Sequence, residues 1–166
     1  WGRYTFLGYD PKLEITCMNG EMCIRESGSE EGAKEPVAHP GAKIKEILKE
    51  YTSPKVKDLP SFTGGLVGYF SYDYVKYSEP KLNLDADDQE GFKDVDLMLF
   101  DKVIAFDNLR QKIYIIANAR TEDLEQEYDR CLAEIEEIVD LIEHGTPAQI
   151  TPGKITSEFR PLFSEQ

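Results

Sequence analysis

Residues 59–74 read Leu-Pro-Ser-Phe-Thr-Gly-Gly-Leu-Val-Gly-Tyr-Phe-Ser-Tyr-Asp-Tyr and bring three glycines and five aromatic side chains into sixteen positions. Gly64, Gly65 and Gly68 permit positive φ or a close approach of backbones, while Phe62, Tyr69, Phe70, Tyr72 and Tyr74 supply large packing surfaces at the same place. The pattern predicts a glycine-rich strand running into a helix that begins near Phe70. It does not make a phosphate cradle. The glycines lack the spacing of a dinucleotide fingerprint, and bulky rings follow them where a pyrophosphate would need room.

Downstream, residues 79–91 are polar and acidic and read as a loop. Residues 96–107, Asp-Leu-Met-Leu-Phe-Asp-Lys-Val-Ile-Ala-Phe-Asp, carry apolar side chains on both faces, which predicts one long strand lying centrally between two layers. A turn at 108–111 leads into a second strand over 112–118, completing a hairpin. Thr121 is the expected cap of the longest helix, 121–144, with Glu122 and Asp123 in its positive first turn. Leu124, Tyr128, Cys131, Ile135, Ile138 and Ile142 form its apolar stripe, and Gly145 is its natural stop. The repeat spans too few heptads for a coiled coil.

Upstream, a strand from Arg3 is stopped by Asp10-Pro11. Asn19-Gly20 is a two-residue turn signal that sets Met18 opposite Glu21, Cys17 opposite Met22 and Thr16 opposite Cys23. Cys17 and Cys23 then point to opposite faces and cannot pair; Cys131 falls on the helix stripe, so all three thiols are expected to be packing residues. Residues 26–38 start with a Ser, Gly and Glu bias and read as a mobile acidic loop. Pro40 then starts a helix over 41–51 whose face is Ile44, Ile47, Leu48 and Tyr51. The proline-containing tail, 146–166, is expected to be extended and to lead towards a further domain.

Taken together, 166 residues with 40% hydrophobic content make one α+β unit: a largely antiparallel β-sheet with helices packed on one side. Exposed apolar area is expected on the other side. The net charge of -13 disfavours nucleic acid or an anionic membrane, which require a basic footprint, and no apolar run of membrane-spanning length and no basic-then-apolar signal pattern is seen, so a cytoplasmic setting is expected. Candidate chemistry is sparse. His39 precedes a proline and His144 suits a helix C-terminus; Asp85, Asp87 and Asp88 lack the rest of a calcium loop. Arg3, beside Trp1, Tyr4 and Phe6, is suited to pairing with a ligand carboxylate or lying on a ring, against the plainer reading of an exposed edge arginine.

Gly2-Arg3-Tyr4-Thr5-Phe6-Leu7-Gly8 is similar to the Gly-Arg-Tyr-Ser-Phe-Ile-Gly strand of the N-terminal domain of the anthranilate synthase component I family, part of the chorismate-utilising superfamily. Residues 62–73 resemble that family's Phe-x-Gly-Gly-x-x-Gly-Tyr-Phe-x-Tyr-Asp signature, and 96–118 its following hairpin. The resemblance implies a regulatory N-terminal domain of an enzyme that converts chorismate to anthranilate and pyruvate, with catalytic and magnesium-binding residues in a separate C-terminal domain. It implies no catalytic residue and no metal ligand within these 166 residues. The implied partners are tryptophan as feedback effector, a glutamine amidotransferase subunit and the C-terminal domain itself. By matching position, Arg3 with its neighbours Gly2 and Tyr4 is the implied effector wall. The family's Leu-Leu-Glu-Ser segment should precede Trp1 and is not in the sequence, so weak tryptophan binding and no turnover are expected of this stretch alone. Aminodeoxychorismate synthase component I shares the glycine and aromatic signature and is the alternative; a free-standing binding module is the third reading.

Overall fold

The computed structural model describes residues 2–79, 81, 82, 84 and 88–158. In chain order the strands and helices are β1 (Tyr4–Leu7), β2 (Leu13–Met18), β3 (Glu21–Glu26), β4 (Ala33–Pro36), α1 (Pro40–Glu50), β5 (Gly65–Phe70), a 3₁₀ helix (Tyr72–Tyr77), β6 (Val95–Phe100), β7 (Lys102–Asp107), β8 (Lys112–Ala117) and α2 (Leu124–His144). The α+β class with antiparallel pairing holds. The strands divide into two sheets, ordered β4-β3-β2-β6-β5 and β1-β7-β8.

The division falls inside the stretch read as one long strand. At Asp101 the chain bends, leaving β6 between β2 and β5 in one sheet and β7 between β1 and β8 in the other. Contacts distant in sequence hold that corner. Lys12 Nζ reaches Asp101 Oδ2 at 3.0 Å, and the Asp101 carbonyl accepts the backbone N–H and the side-chain Nδ2 of Asn118 at 2.9 and 2.8 Å. Central position is nevertheless kept on both sides of the bend, where Val95, Leu97, Leu99, Val103, Ile104 and Ala105 are all buried.

The β2–β3 hairpin pairs Met18 with Glu21, Cys17 with Met22 and Thr16 with Cys23, as the Asn-Gly turn dictates. Alternation sends Leu13, Ile15, Cys17 and Met22 into a core with Val95, Leu97 and Leu99, which Ile44 of α1 covers. All three cysteines are free thiols, with Cys17 and Cys131 buried. On the opposite sheet face Val67, Tyr69 and Met98 are exposed, as the one-sided packing required.

Four expectations need correction. Within 26–38, Ala33–Pro36 forms β4 on the edge of the larger sheet, because a strand needs only backbone groups to pair with β3 and its polar side chains face solvent. The helix after the glycine strand starts at Tyr72 and is a 3₁₀ helix, following Ser71 in extended backbone. Asp123, with φ of 55°, occupies the N-cap of α2 in place of Thr121 and makes no side-chain cap bond. Finally, of the α2 stripe only Cys131 and Ile138 are fully buried, while Leu124, Tyr128 and Ile142 are exposed. A helix of 21 residues is about 31 Å long, whereas the six-residue strand β8 against which it packs spans roughly 20 Å, so both ends overhang. The helices therefore serve different sheets, α1 the larger and α2 the smaller.

Residues 59–74 form the joint between these layers. Gly68, with φ of 155°, stands opposite Leu97, and a Cβ there would lie 2.0 Å from the Asp96 carbonyl oxygen. At Gly64 a Cβ would meet Asn118 Nδ2 at 2.8 Å, the same amide that donates to the Thr63 carbonyl. The rings divide between the two sheets. Phe62 meets Phe6 of β1 edge to face at 5.5 Å, while Phe70 meets Tyr74 edge to face at 4.9 Å and Tyr74 meets Tyr77 at a tilt at 5.4 Å, beside α1.

Candidate functional site

Arg3 lies just ahead of β1 and is held to the β7–β8 turn. Its carbonyl accepts the Asn108 N–H at 2.8 Å, and Asn108 Nδ2 also donates to the Gly2 carbonyl and to Thr5 Oγ1. The guanidinium grips Asp107 at two points, Nε to Oδ1 at 3.3 Å and Nη2 to Oδ2 at 2.9 Å. Asp107 Oδ1 further accepts the backbone N–H groups of Leu109 and Arg110. Hydrogen bonding from Arg3 is the main reason the Asp107 carboxyl is held down to about 2, with the two turn amides adding to it against the opposing effect of burial. Asp107 in turn raises the pKa of the Arg3 guanidinium.

Tyr4 is half-buried, with the Arg3 guanidinium 4.8 Å from its ring centroid. Beyond it stand Phe6, at 6.0 Å from Tyr4, and then Phe62. Gly2, Arg3 and Tyr4 are thus together, at the end of a row of rings. The side chain of Arg3 is 42% exposed, and its Nη1 has no partner among the described residues. The ring contact read from sequence is present, to Tyr4, while the carboxylate that Arg3 pairs with is the chain's own Asp107 and not a ligand's.

Sequence reasoning missed Asp107. Its partner lies 104 residues away, so no local pattern could join them. One signal was present: an acid closing a strand otherwise apolar on both faces must be buried, and a buried carboxylate requires a cation.

A second polar knot lies under the β2–β3 turn. Tyr77 Oη donates to Asp94 Oδ2 and accepts the Gly20 N–H, each at 2.7 Å, while Lys76 Nζ pairs with Asp94 Oδ1 at 2.8 Å. Burial would raise the Asp94 pKa, but bonds from Lys76, Tyr77 and the Asn19 N–H outweigh it and hold the carboxyl below its usual range. Burial, helped by the bond to Asp94, pushes the Tyr77 phenol well above its ordinary value. The satisfied donors and acceptors make this a fastening of the hairpin to the 3₁₀ helix rather than a reactive centre.

A cleft of about 470 Å³ opens at the joint between the sheets, lined among others by Lys12, Tyr51, Gly64, Asp101, Asn118 and Arg120. Several of its polar side chains are engaged with one another: Lys12 Nζ with Asp101 Oδ2, Ser53 Oγ donating to Asn118 Oδ1, and Arg120 Nη2 to Tyr51 Oη. Among the described residues no three His, Cys, Asp or Glu side chains are grouped to hold a metal ion. Asp85 and Asp87 lie outside the described residues, and Asp88 Oδ1 accepts the Gly91 N–H. His39 is the N-cap of α1, and His144 Nδ1 lies 3.0 Å from Asp140 Oδ1 at the end of α2. Among the described residues no helix is long and apolar enough to cross a membrane.

A family model described as chorismate binding enzyme matches residues 2–164. The chain belongs to the chorismate-binding enzyme family. Within that family it is similar to anthranilate synthase component 1 of Acinetobacter calcoaceticus, with 34% identity over 158 residues that cover 93% of this chain and 31% of the relative. The corresponding protein of Pseudomonas aeruginosa is 37% identical over 141 residues, covering 84% of this chain and 28% of its own length. Anthranilate synthase alpha subunit 2, chloroplastic, of Arabidopsis thaliana is 30% identical, covering 93% of this chain and 26% of the relative. The chain thus spans under a third of the curated relatives it matches. Its fold is that of part of the crystal structure of anthranilate synthase component I from Streptococcus pneumoniae TIGR4, with a TM-score of 0.54 and 24% identity over 81% of this chain and 30% of the other.

Proposed function

We propose that the chain is the N-terminal, regulatory part of an anthranilate synthase component I, an enzyme that converts chorismate to anthranilate and pyruvate and is inhibited by tryptophan. The observation that carries this reading is the 34% identity to a component 1 protein across 93% of the chain. Catalytic residues and the magnesium site belong, on this proposal, to a separate C-terminal domain. A glutamine amidotransferase subunit supplies ammonia, and the enzyme works in the cytoplasm.

Gly2, Arg3 and Tyr4 form one wall of the tryptophan site in this reading. What supports it is a partly exposed Arg3 side chain, its Nη1 without a partner among the described residues, at the end of the row Tyr4, Phe6 and Phe62, a combination suited to the carboxylate and ring of an aromatic amino acid. Replacing Arg3 with Ala in the full-length enzyme is expected to raise the tryptophan concentration for half-inhibition while leaving uninhibited turnover nearly intact. A collapse of turnover would contradict a regulatory role. The 166-residue chain alone is expected to bind tryptophan weakly or not at all, and tight binding by calorimetry would contradict the shared nature of the pocket.

A further inference from the structure

Asp107 is 1% exposed, and its two oxygens divide their work. Oδ1 accepts the Leu109 and Arg110 amides and so fixes the β7–β8 turn, besides receiving Arg3 Nε. The only partner of Oδ2 among the described residues is Arg3 Nη2. The carboxylate is therefore set by the turn and grips one edge of the guanidinium. The far nitrogen, Nη1, has no partner among the described residues, and the guanidinium carbon lies 4.8 Å from the Tyr4 ring centroid, with Phe6 next in the row.

An arginine side chain that is ordered before its ligand arrives loses less conformational freedom on binding, and the planar fork can serve two carboxylates from different edges. We infer that Asp107 is a positioning residue for the effector site, holding Arg3 so that Nη1 meets the carboxylate of an aromatic amino acid whose ring lies along Tyr4 and Phe6. The inference rests on the assignment of Arg3 to the effector wall given above. Asp107 never touches the effector; its influence passes through Arg3.

Asp107→Asn separates this role from a structural one. The Asn Oδ1 can still accept the turn amides and Arg3 Nε, while its Nδ2 presents a donor to the Arg3 Nη2 donor, which breaks the two-point grip and removes the charge that holds the guanidinium. In the full-length enzyme, Asp107→Asn is expected to raise the half-inhibitory tryptophan concentration about tenfold or more, with uninhibited kcat and KM for chorismate within about twofold. Asp94→Asn removes a comparable buried carboxylate from the Lys76 pair and serves as the control, expected to lower the melting temperature without moving the inhibition curve. A shift with Arg3→Ala and none with Asp107→Asn would overturn the positioning role and leave the Arg3 assignment standing. No shift with either would overturn both. Should Asp107→Asn fail to fold by circular dichroism, Arg3→Lys decides: a single ammonium cannot both pair with Asp107 and reach the ligand, so a loss of about fivefold or more is expected and a wild-type curve would overturn the inference.

Discussion

Substituting alanine at Gly68 would put a methyl carbon 2.0 Å from the Asp96 carbonyl oxygen and 2.9 Å from the Leu97 Cα. Both obstacles are backbone of β6, the strand beside it, so no rotamer change relieves the overlap. The φ of 155° adds strain for any L side chain. Relief requires β5 to move off β6 over at least the pairs around Gly68 and Leu97. Backbone strain of about 1–3 kcal/mol together with two or more weakened ladder bonds gives a loss of about 3–5 kcal/mol. Gly28 supplies the matched control, since its φ is also positive, at 80°, yet a Cβ there would meet nothing within 4 Å. Gly28→Ala should cost only the left-handed penalty, about 1–2 kcal/mol. Equilibrium urea unfolding followed by circular dichroism measures both. Equal losses for the two variants would refute the view that residues 59–74 are a close-packed joint between the sheets.

Two further perturbations follow from the polar contacts. Tyr77→Phe removes the hydroxyl shared by Asp94 and the Gly20 amide and should destabilise by about 2–4 kcal/mol, whereas Tyr72→Phe, at a residue 90% exposed, should stay within about 0.5 kcal/mol; similar urea midpoints for the two would contradict the fastening role. Asp107 and Glu127 are each held down to about 2, from ordinary values of 3.8 and 4.5, by hydrogen bonds chiefly from Arg3 and Arg130 respectively. Because both carboxyls bind protons less readily when folded, their contribution is complete above about pH 4.5 and is lost as the pH falls towards about 2. Urea midpoints that stay flat from pH 5 down to pH 2.5 would contradict this.

Much of the fold was legible because its signals are local. The Asn19-Gly20 turn fixed the hairpin register residue by residue, and Pro40 with the Ile44, Ile47 and Tyr51 spacing marked α1 to within a residue of its ends. The sheet break was not legible. Residues 95–107 run apolar on both sides of Asp101 with no glycine or proline, and the corner is made by Lys12 and Asn118, which lie 89 and 17 residues away. β4 was obscured for a different reason: an edge strand pairs through backbone, and its Ala, Lys, Glu and Pro side chains resemble those of a loop. The α2 overhang depends on the size of the partner sheet, which no helix periodicity encodes. At the candidate site the sequence singled out Arg3, Tyr4 and Gly2, and the geometry adds the Asp107 partner and the Phe6 and Phe62 rings that fold beside them.

The most direct test is the product formed from chorismate by the full-length protein with magnesium and ammonium ions, resolved by chromatography and fluorescence. Anthranilate and pyruvate in equal amounts, with formation suppressed by added tryptophan, are the expected result. Accumulation of aminodeoxychorismate without release of pyruvate, or anthranilate formation indifferent to tryptophan, would contradict it.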